Sequence, residues 1–111
     1  MEIYIENATT ASLVEWLEKS YRVDSLLIAD DYDIIRIIYG DITIPVIVTS
    51  GINGTHFTGV WFNSEKLPWY TLEELVKFAA SNYKSRIRYE KQDLSPVFYE
   101  LFNGQITSIT C

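Results

Sequence analysis

Hydrophobic and polar residues alternate along much of the chain with a period of two, the pattern of strands that bury one face. The clearest run has a hydrophobic face formed by Ile42, Ile44, Val46 and Val48. Pro45 has no N–H to donate, so we expect this strand to lie at a sheet edge or to be bulged there. Strands are predicted over residues 3–5, 25–29, 34–39, 42–49, 55–62, 97–102 and 105–110.

The first helix is predicted from hydrophobic residues at helical spacing after Thr9 or Thr10, either of which can cap its start. Its buried face is formed by Leu13, Val14, Leu17 and Tyr21. Trp16 lies at the boundary of that face, where an aromatic side chain is a candidate for exposure.

The second helix is predicted to begin at Thr71, which forms a capping box with Glu74. Two dipeptides, Gly40-Asp41 and Asn103-Gly104, are hairpin signals between strand-like runs. Gly59 suggests a bulge within its strand. The element order is therefore β-α-β-β-β-β-α-β-β, which predicts one α+β domain over residues 1–111 with a mostly antiparallel sheet of about five to seven strands and two helices packed on it.

Composition excludes several classes of function. The net charge is −6, with 15 acidic against 9 basic residues, which argues against general nucleic-acid binding. The lone Cys111 and the lone His56 exclude a disulfide scaffold and a Cys/His zinc site, and no phosphate-binding glycine motif is present. We expect no catalytic residue, no cofactor and no metal. Without a signal peptide or an apolar span, a cytoplasmic location is expected.

The charge surplus lies entirely in the first 41 residues, whereas residues 42–111 hold six charges of each sign. Like charges gathered on one region attract a basic partner, although acidic caps and turns also serve solubility. The run 30–33 does not match the calcium-loop pattern. The candidate partner-binding residues are Glu15, Trp16, Glu18, Asp30, Asp31 and Asp33, and the aromatic region 61–70 is the second choice.

A smaller basic segment contains Lys84, Arg86, Arg88 and Lys91, and its alternation suggests an extended stretch after the second helix. These cations form ion pairs within the chain or contact a phosphate or an acidic partner.

In size, acidity and α/β composition the chain resembles the small bacterial immunity proteins of contact-dependent growth inhibition systems. The resemblance implies a monomer or weak homo-oligomer that binds a cognate toxin domain, commonly a nuclease, and occludes its basic active site, without contacting nucleic acid or membrane itself. Two alternatives remain open: a phage or prophage inhibitor of a host nucleic-acid enzyme, and a small ligand-binding domain or enzyme that uses pocket carboxylates. An apolar pocket with convergent polar groups favours the last.

Overall fold

Eight antiparallel strands form one sheet in the computed structural model, which describes residues 1–91 and 97–109. The strands are β1 (Glu2–Glu6), β2 (Arg22–Ile28), β3 (Asp33–Tyr39), β4 (Ile42–Thr49), β5 (Phe57–Phe62), β6 (Ile87–Lys91), β7 (Val97–Phe102) and β8 (Gln105–Ile109). The helices are α1 (Thr10–Glu18) and α2 (Leu72–Ala80). The strand order is β2-β3-β4-β5-β1-β6-β7-β8, which confirms the predicted α+β class.

The sheet has one strand more than the upper bound of the prediction, because the basic segment after α2 forms β6 between β1 and β7. Ile87 and Tyr89 are buried on one face of β6, and Arg86 and Arg88 lie on the other. The predicted final strand reached residue 110, which lies outside the described residues.

One face of the sheet, here called the covered face, packs against both helices and forms the core. The register places the buried side chains of neighbouring strands directly opposite each other, as for Ile3 with Val60 and Ile35 with Val46. The core cluster joins them to Leu13, Trp16 and Leu17 of α1 and to Leu75, Val76 and Ala79 of α2.

The helix starts agree with the capping signals. Thr9 caps α1, and its side chain accepts from the Ser12 backbone N–H while the Ser12 hydroxyl accepts from the Thr9 N–H. Thr71 caps α2 by accepting from the Glu74 N–H. The Glu74 carboxylate accepts from the Tyr70 N–H, one residue before the expected partner.

Pro45 is not at a sheet edge and not at a bulge, because β4 lies inside the sheet between β3 and β5. The N–H and C=O groups of a strand residue point to the same side. The Pro45 C=O accepts from the Asn63 N–H at 3.0 Å, so the missing N–H faces the β5 side. The missing N–H would face Asn63, one residue beyond the Val46–Phe62 pair that ends the pairing with β5, so the proline removes at most one bond at the end of this ladder.

Gly59 is not bulged either, since it pairs in register with Tyr4 of β1 and with Thr49 of β4. A Cβ at Gly59 would lie 3.1 Å from the Cδ1 atom of Ile52. The glycine therefore permits Ile52, in the single turn of 3-10 helix between β4 and β5, to pack directly on the strand.

Both hairpin predictions are confirmed. Tyr39 pairs with Ile42 across Gly40-Asp41, and Phe102 pairs with Gln105 across Asn103-Gly104. Asn103 and Gly104 have φ angles of 52° and 76°, the left-handed conformation that this dipeptide adopts at low cost.

The hydrogen bond from Thr58 to the segment that precedes α1 can be tested by substitution. Thr58 is 3% exposed, and its hydroxyl donates to the C=O of Ala8 at 2.7 Å. Thr58→Val should lower the free energy of unfolding by about 1–3 kcal/mol, because the Ala8 carbonyl loses its partner. Thr43→Val, at an exposed position on β4, should change it by less than about 0.5 kcal/mol. Equal effects in chemical denaturation would contradict this account.

Candidate partner-binding surface

The edge strand β2 exposes three consecutive large hydrophobic side chains. Leu26, Leu27 and Ile28 are 47%, 48% and 65% exposed. Because β2 is at the end of the sheet, it pairs with β3 alone among the described strands. Neither helix seals this edge, although α1 contacts both β2 and β3.

The sequence analysis missed these three residues, although the sequence contains their signal. Successive strand side chains point to opposite faces, so three consecutive hydrophobic residues cannot all reach a core on one face. The run Leu26-Leu27-Ile28 therefore places at least one apolar side chain outside the core, as Val46-Ile47-Val48 of β4 does with Ile47.

Carboxylates lie at both ends of the exposed run. Asp24 is exposed where the register shifts between Val23 and Ser25, and Asp30 and Asp31 form the turn from β2 to β3, here called the acidic turn. No hydrogen bond or ion pair joins these three side chains to another residue in the described part of the chain. Their charges are therefore available to a partner.

Glu15 and Glu18 are exposed on α1 as predicted, on the helix that packs beside β2 and β3. The structure therefore places all six proposed residues on α1 or in the β2–β3 hairpin. It does not make all of them equivalent, because Asp33 and Trp16 are engaged within the fold.

Asp33 connects the hairpin to α1. One carboxylate oxygen accepts from the Thr10 hydroxyl at 2.5 Å, and the other accepts from the Ala29 N–H at 3.4 Å. Both carboxylate oxygens of Asp33 are therefore engaged within the fold, unlike those of Asp30 and Asp31. We assign it a positioning role between β3 and the first turn of α1.

Trp16 is 2% exposed, so its predicted place on the surface is wrong. Its ring packs against Phe62, Phe78 and Tyr83, with centroid separations of 6.3, 5.0 and 5.7 Å. The Trp16 ring fills the space between the two helices and β5. For this reason Trp16 is buried, although it lies at the boundary of the hydrophobic face of α1. Trp16 does not form part of the candidate surface.

The face of the sheet opposite the helices, here called the open face, carries a row of hydrophobic side chains on β2 to β5. Leu27 pairs with Ile34, Ile34 with Ile47, and Ile47 with Trp61. Trp61 is 42% exposed. With strands about 4.8 Å apart, this apolar row extends about 14 Å across the sheet and reaches the edge beside the acidic turn.

The other half of the open face is occupied by its own ionic network. Glu100 accepts from Arg88 at 2.9 Å and lies 3.5 Å from Arg86, which also pairs with Glu6 at 3.7 Å. The guanidinium groups lie over the rings of Phe57 and Phe102 at 4.3 Å or less. Arg86 and Arg88 thus form the predicted internal ion pairs, and Lys84 remains exposed.

The remaining aromatic residues of the second-choice region divide between surface and core. Tyr70 is 92% exposed, whereas Trp69 is 8% exposed and packs 5.0 Å from Phe62.

His56 is exposed, and its C=O accepts from the Asn7 N–H at 2.8 Å.

A hollow of about 200 Å³ on the open face is lined by Tyr4, Ile52, Phe57, Arg88, Phe98 and Ile109, together with two loop residues. Ligand pockets are usually larger, about 300–1,000 Å³. Arg88, the charged group that lines it, is bound to Glu100 and stacked on Phe57. The charged group of this hollow is therefore already engaged within the fold.

No protein family, curated protein or solved structure matches this chain. Among residues 1–91 and 97–109, no helix is long and apolar enough to cross a membrane, and no three His, Cys, Asp or Glu side chains are grouped to hold a metal ion.

Trp16 and Trp61 differ in a way that a stability measurement can detect. Trp16→Ala should lower the free energy of unfolding by about 3–5 kcal/mol, because it leaves a cavity between the helices and the sheet. Trp61→Ala should cost about 1 kcal/mol, since its side chain is partly exposed. Chemical denaturation of both variants tests the assignment. A Trp16 variant as stable as the Trp61 variant would contradict the burial of Trp16.

Tyr4 predicts a pH dependence of stability. Burial, its 2.8 Å hydrogen bond to Glu2 and the nearby negative charges raise the pKa of Tyr4 from 10 to about 12. The protonated phenol is favoured in the folded state, so its contribution is fully present below pH 10 and is lost as the pH rises towards about 12.

Tyr4→Phe should remove the part of the loss of stability at alkaline pH that comes from ionisation of Tyr4. The difference in free energy of unfolding between wild type and variant should be constant below pH 10 and should shrink between pH 10 and about 12. Burial also raises the pKa of Tyr21, Tyr83 and Tyr89, but those groups are common to both proteins and cancel in the comparison. A constant difference across that range would contradict the assignment.

Proposed function

We propose that this chain is an immunity protein that binds a cognate toxin domain, a nuclease, and blocks it stoichiometrically. The observation that carries the proposal is the uncovered apolar row that meets free carboxylates at the β2 edge. Surfaces of this composition are typical of partner binding, because the apolar centre supplies affinity and the charged rim steers association.

The carboxylates define the expected chemistry of the partner. A nuclease binds phosphates with lysine and arginine, so its active-site cleft attracts an acidic protein. Asp30 and Asp31 are exposed in a turn and can enter such a cleft, and Asp24 on β2 and Glu15 and Glu18 on α1 are further exposed carboxylates of the same part of the chain. In this proposal the carboxylates occupy positions that substrate phosphates would take.

The apolar row explains how the complex persists after the encounter. Exposed charge pairs mainly raise the association rate, whereas desolvated apolar contacts slow dissociation. Leu27 and Trp61 lie at the two ends of the row and are the most exposed of its members. We place the action of the protein in the cytoplasm, where an imported nuclease reaches its substrate.

The test needs the toxic domain, which the proposal expects to be encoded beside the gene of this chain. Co-expression should restore growth of cells that produce the toxic domain, and the purified proteins should bind one to one. Asp30→Lys with Asp31→Lys should lower the association rate constant at least about tenfold at low salt, and by less at high salt. Stopped-flow association at two ionic strengths measures both effects.

The matched control is Asp41→Lys with Glu65→Lys, which makes the same change in net charge at exposed positions. Asp41 is in the hairpin at the opposite end of β3, about 20 Å from the acidic turn. This variant should change the association rate by no more than about twofold. Equal effects of the two double variants would show that net charge alone acts, and absence of both rescue and binding would refute the proposed function.

A further inference from the structure

The outer edge of β2 presents backbone groups with a definite orientation. The Ala29 N–H donates to the Tyr32 C=O at 3.2 Å, which directs Ala29 towards β3. The N–H and C=O groups of successive strand residues alternate between the two sides. Leu27 therefore bonds towards β3, whereas Leu26 and Ile28 direct their N–H and C=O groups away from the sheet.

Part of this edge lacks the usual protection against strand pairing, because the charged Arg22 and Asp24 and the irregularity in register all lie before Leu26. Edge strands are commonly interrupted by proline, lysine or inward-pointing charge. The stretch Leu26-Leu27-Ile28 contains none of these, and its only irregularity lies one residue before it, between Val23 and Ser25. The opposite edge, β8, is shorter and has polar Gln105, Thr107 and Ser108, with no carboxylate.

We propose that β2 binds its partner by strand addition: an extended segment of the toxin domain pairs with the outward groups of Leu26 and Ile28 and continues the sheet. This inference rests on the proposed function and specifies how that surface is used. Backbone hydrogen bonds supply affinity in this mode, and the side chains on either face select the sequence.

Charge at the two ends of β2 defines the segment that fits. Asp24 and the acidic turn are about 20 Å apart along the strand, with the apolar run between them. The complementary segment carries apolar residues at its centre and lysine or arginine towards both ends. Such a sequence is compatible with a strand bordering the basic cleft of a nuclease.

A second copy of this chain fits the same edge less well. The antiparallel register that uses both outward-facing residues pairs Leu26 of one copy with Ile28 of the other. The same register places Asp24 opposite Asp30 at both ends of the new pair. Like charges directly opposite each other are destabilising, and each copy already carries a net charge of −6.

The first experiment uses a synthetic peptide that matches β2 in length and has valine at its centre and lysine towards both ends. Amide hydrogen exchange followed by NMR should show exchange at Leu26 and Ile28 slowed at least about tenfold by the peptide. The Leu27 amide, already bonded to β3, is the internal reference and should change little. Glutamate in place of lysine, or N-methylation of alternate peptide amides, should abolish the slowing.

Two variants of the protein extend the test to the natural partner. Leu26→Pro removes an N–H that faces solvent and leaves the bonds to β3 in place, an arrangement that edge strands tolerate. Leu26→Ala removes the side chain and keeps the N–H. We expect Leu26→Pro to weaken binding of the toxic domain at least about tenfold beyond Leu26→Ala. The N-methylated peptide supplies the same information if the proline variant does not fold.

The outcomes separate strand addition from the proposed function. Rescue of growth by this chain without slowed exchange at Leu26 and Ile28 in the complex would overturn strand addition alone. Binding of the lysine–valine peptide without that slowing, or no binding of it, would do the same. Slowed exchange that rises with protein concentration in the absence of peptide would identify a second copy as the occupant and overturn the proposal.

Discussion

Two helices of nine residues must cover one face of an eight-stranded sheet, and this constraint determines what the rest of the molecule exposes. Strands about 4.8 Å apart make the sheet about 34 Å wide, whereas two adjacent helices cover about 20 Å. The centre of the covered face is therefore fully buried, and the outer strands extend beyond the helices. Leu26 and Ile28 at one end and Ile106 at the other remain exposed for this reason.

Aromatic side chains extend the cover that the helices provide. Trp16, Phe62, Trp69 and Phe78 contact one another where α1, α2 and β5 meet, with ring centroids 5.0–6.3 Å apart. A tryptophan buries more area than any aliphatic residue, so few residues fill the space between two short helices. Trp16 is buried for the same reason and has a structural role.

Charge is separated across the sheet. The arginines of β6 are neutralised by Glu6 and Glu100 on the open face, while Asp24, Asp30 and Asp31 at the far edge have no partner among the described residues. Exposed ion pairs contribute little to stability, so the network mainly fixes side chains and cancels positive charge. Three unpaired carboxylates of the first 41 residues therefore lie along the edge that also exposes the apolar row. Our proposals of partner binding and strand addition both follow from that coincidence.

The local elements could be predicted from the sequence, because the signals that specify each of them lie within a few residues. Thr9 and Thr71 cap helices, Asn103-Gly104 turns a hairpin, and the alternation in β4 separates its two faces. Glu15, Glu18, Asp30 and Asp31 were also predicted on the surface, since charged residues in caps and turns remain solvated.

Only the tertiary structure decided the strand order, which depends on pairings between distant segments such as β1 with β5 and β6. It placed Pro45 inside the sheet, where the missing N–H faces a point at which the neighbouring strand has already ended. It also placed β2 at the edge of the sheet, where Leu26, Leu27 and Ile28 are exposed. Burial depends on which elements lie alongside a residue, and no local pattern specifies those neighbours.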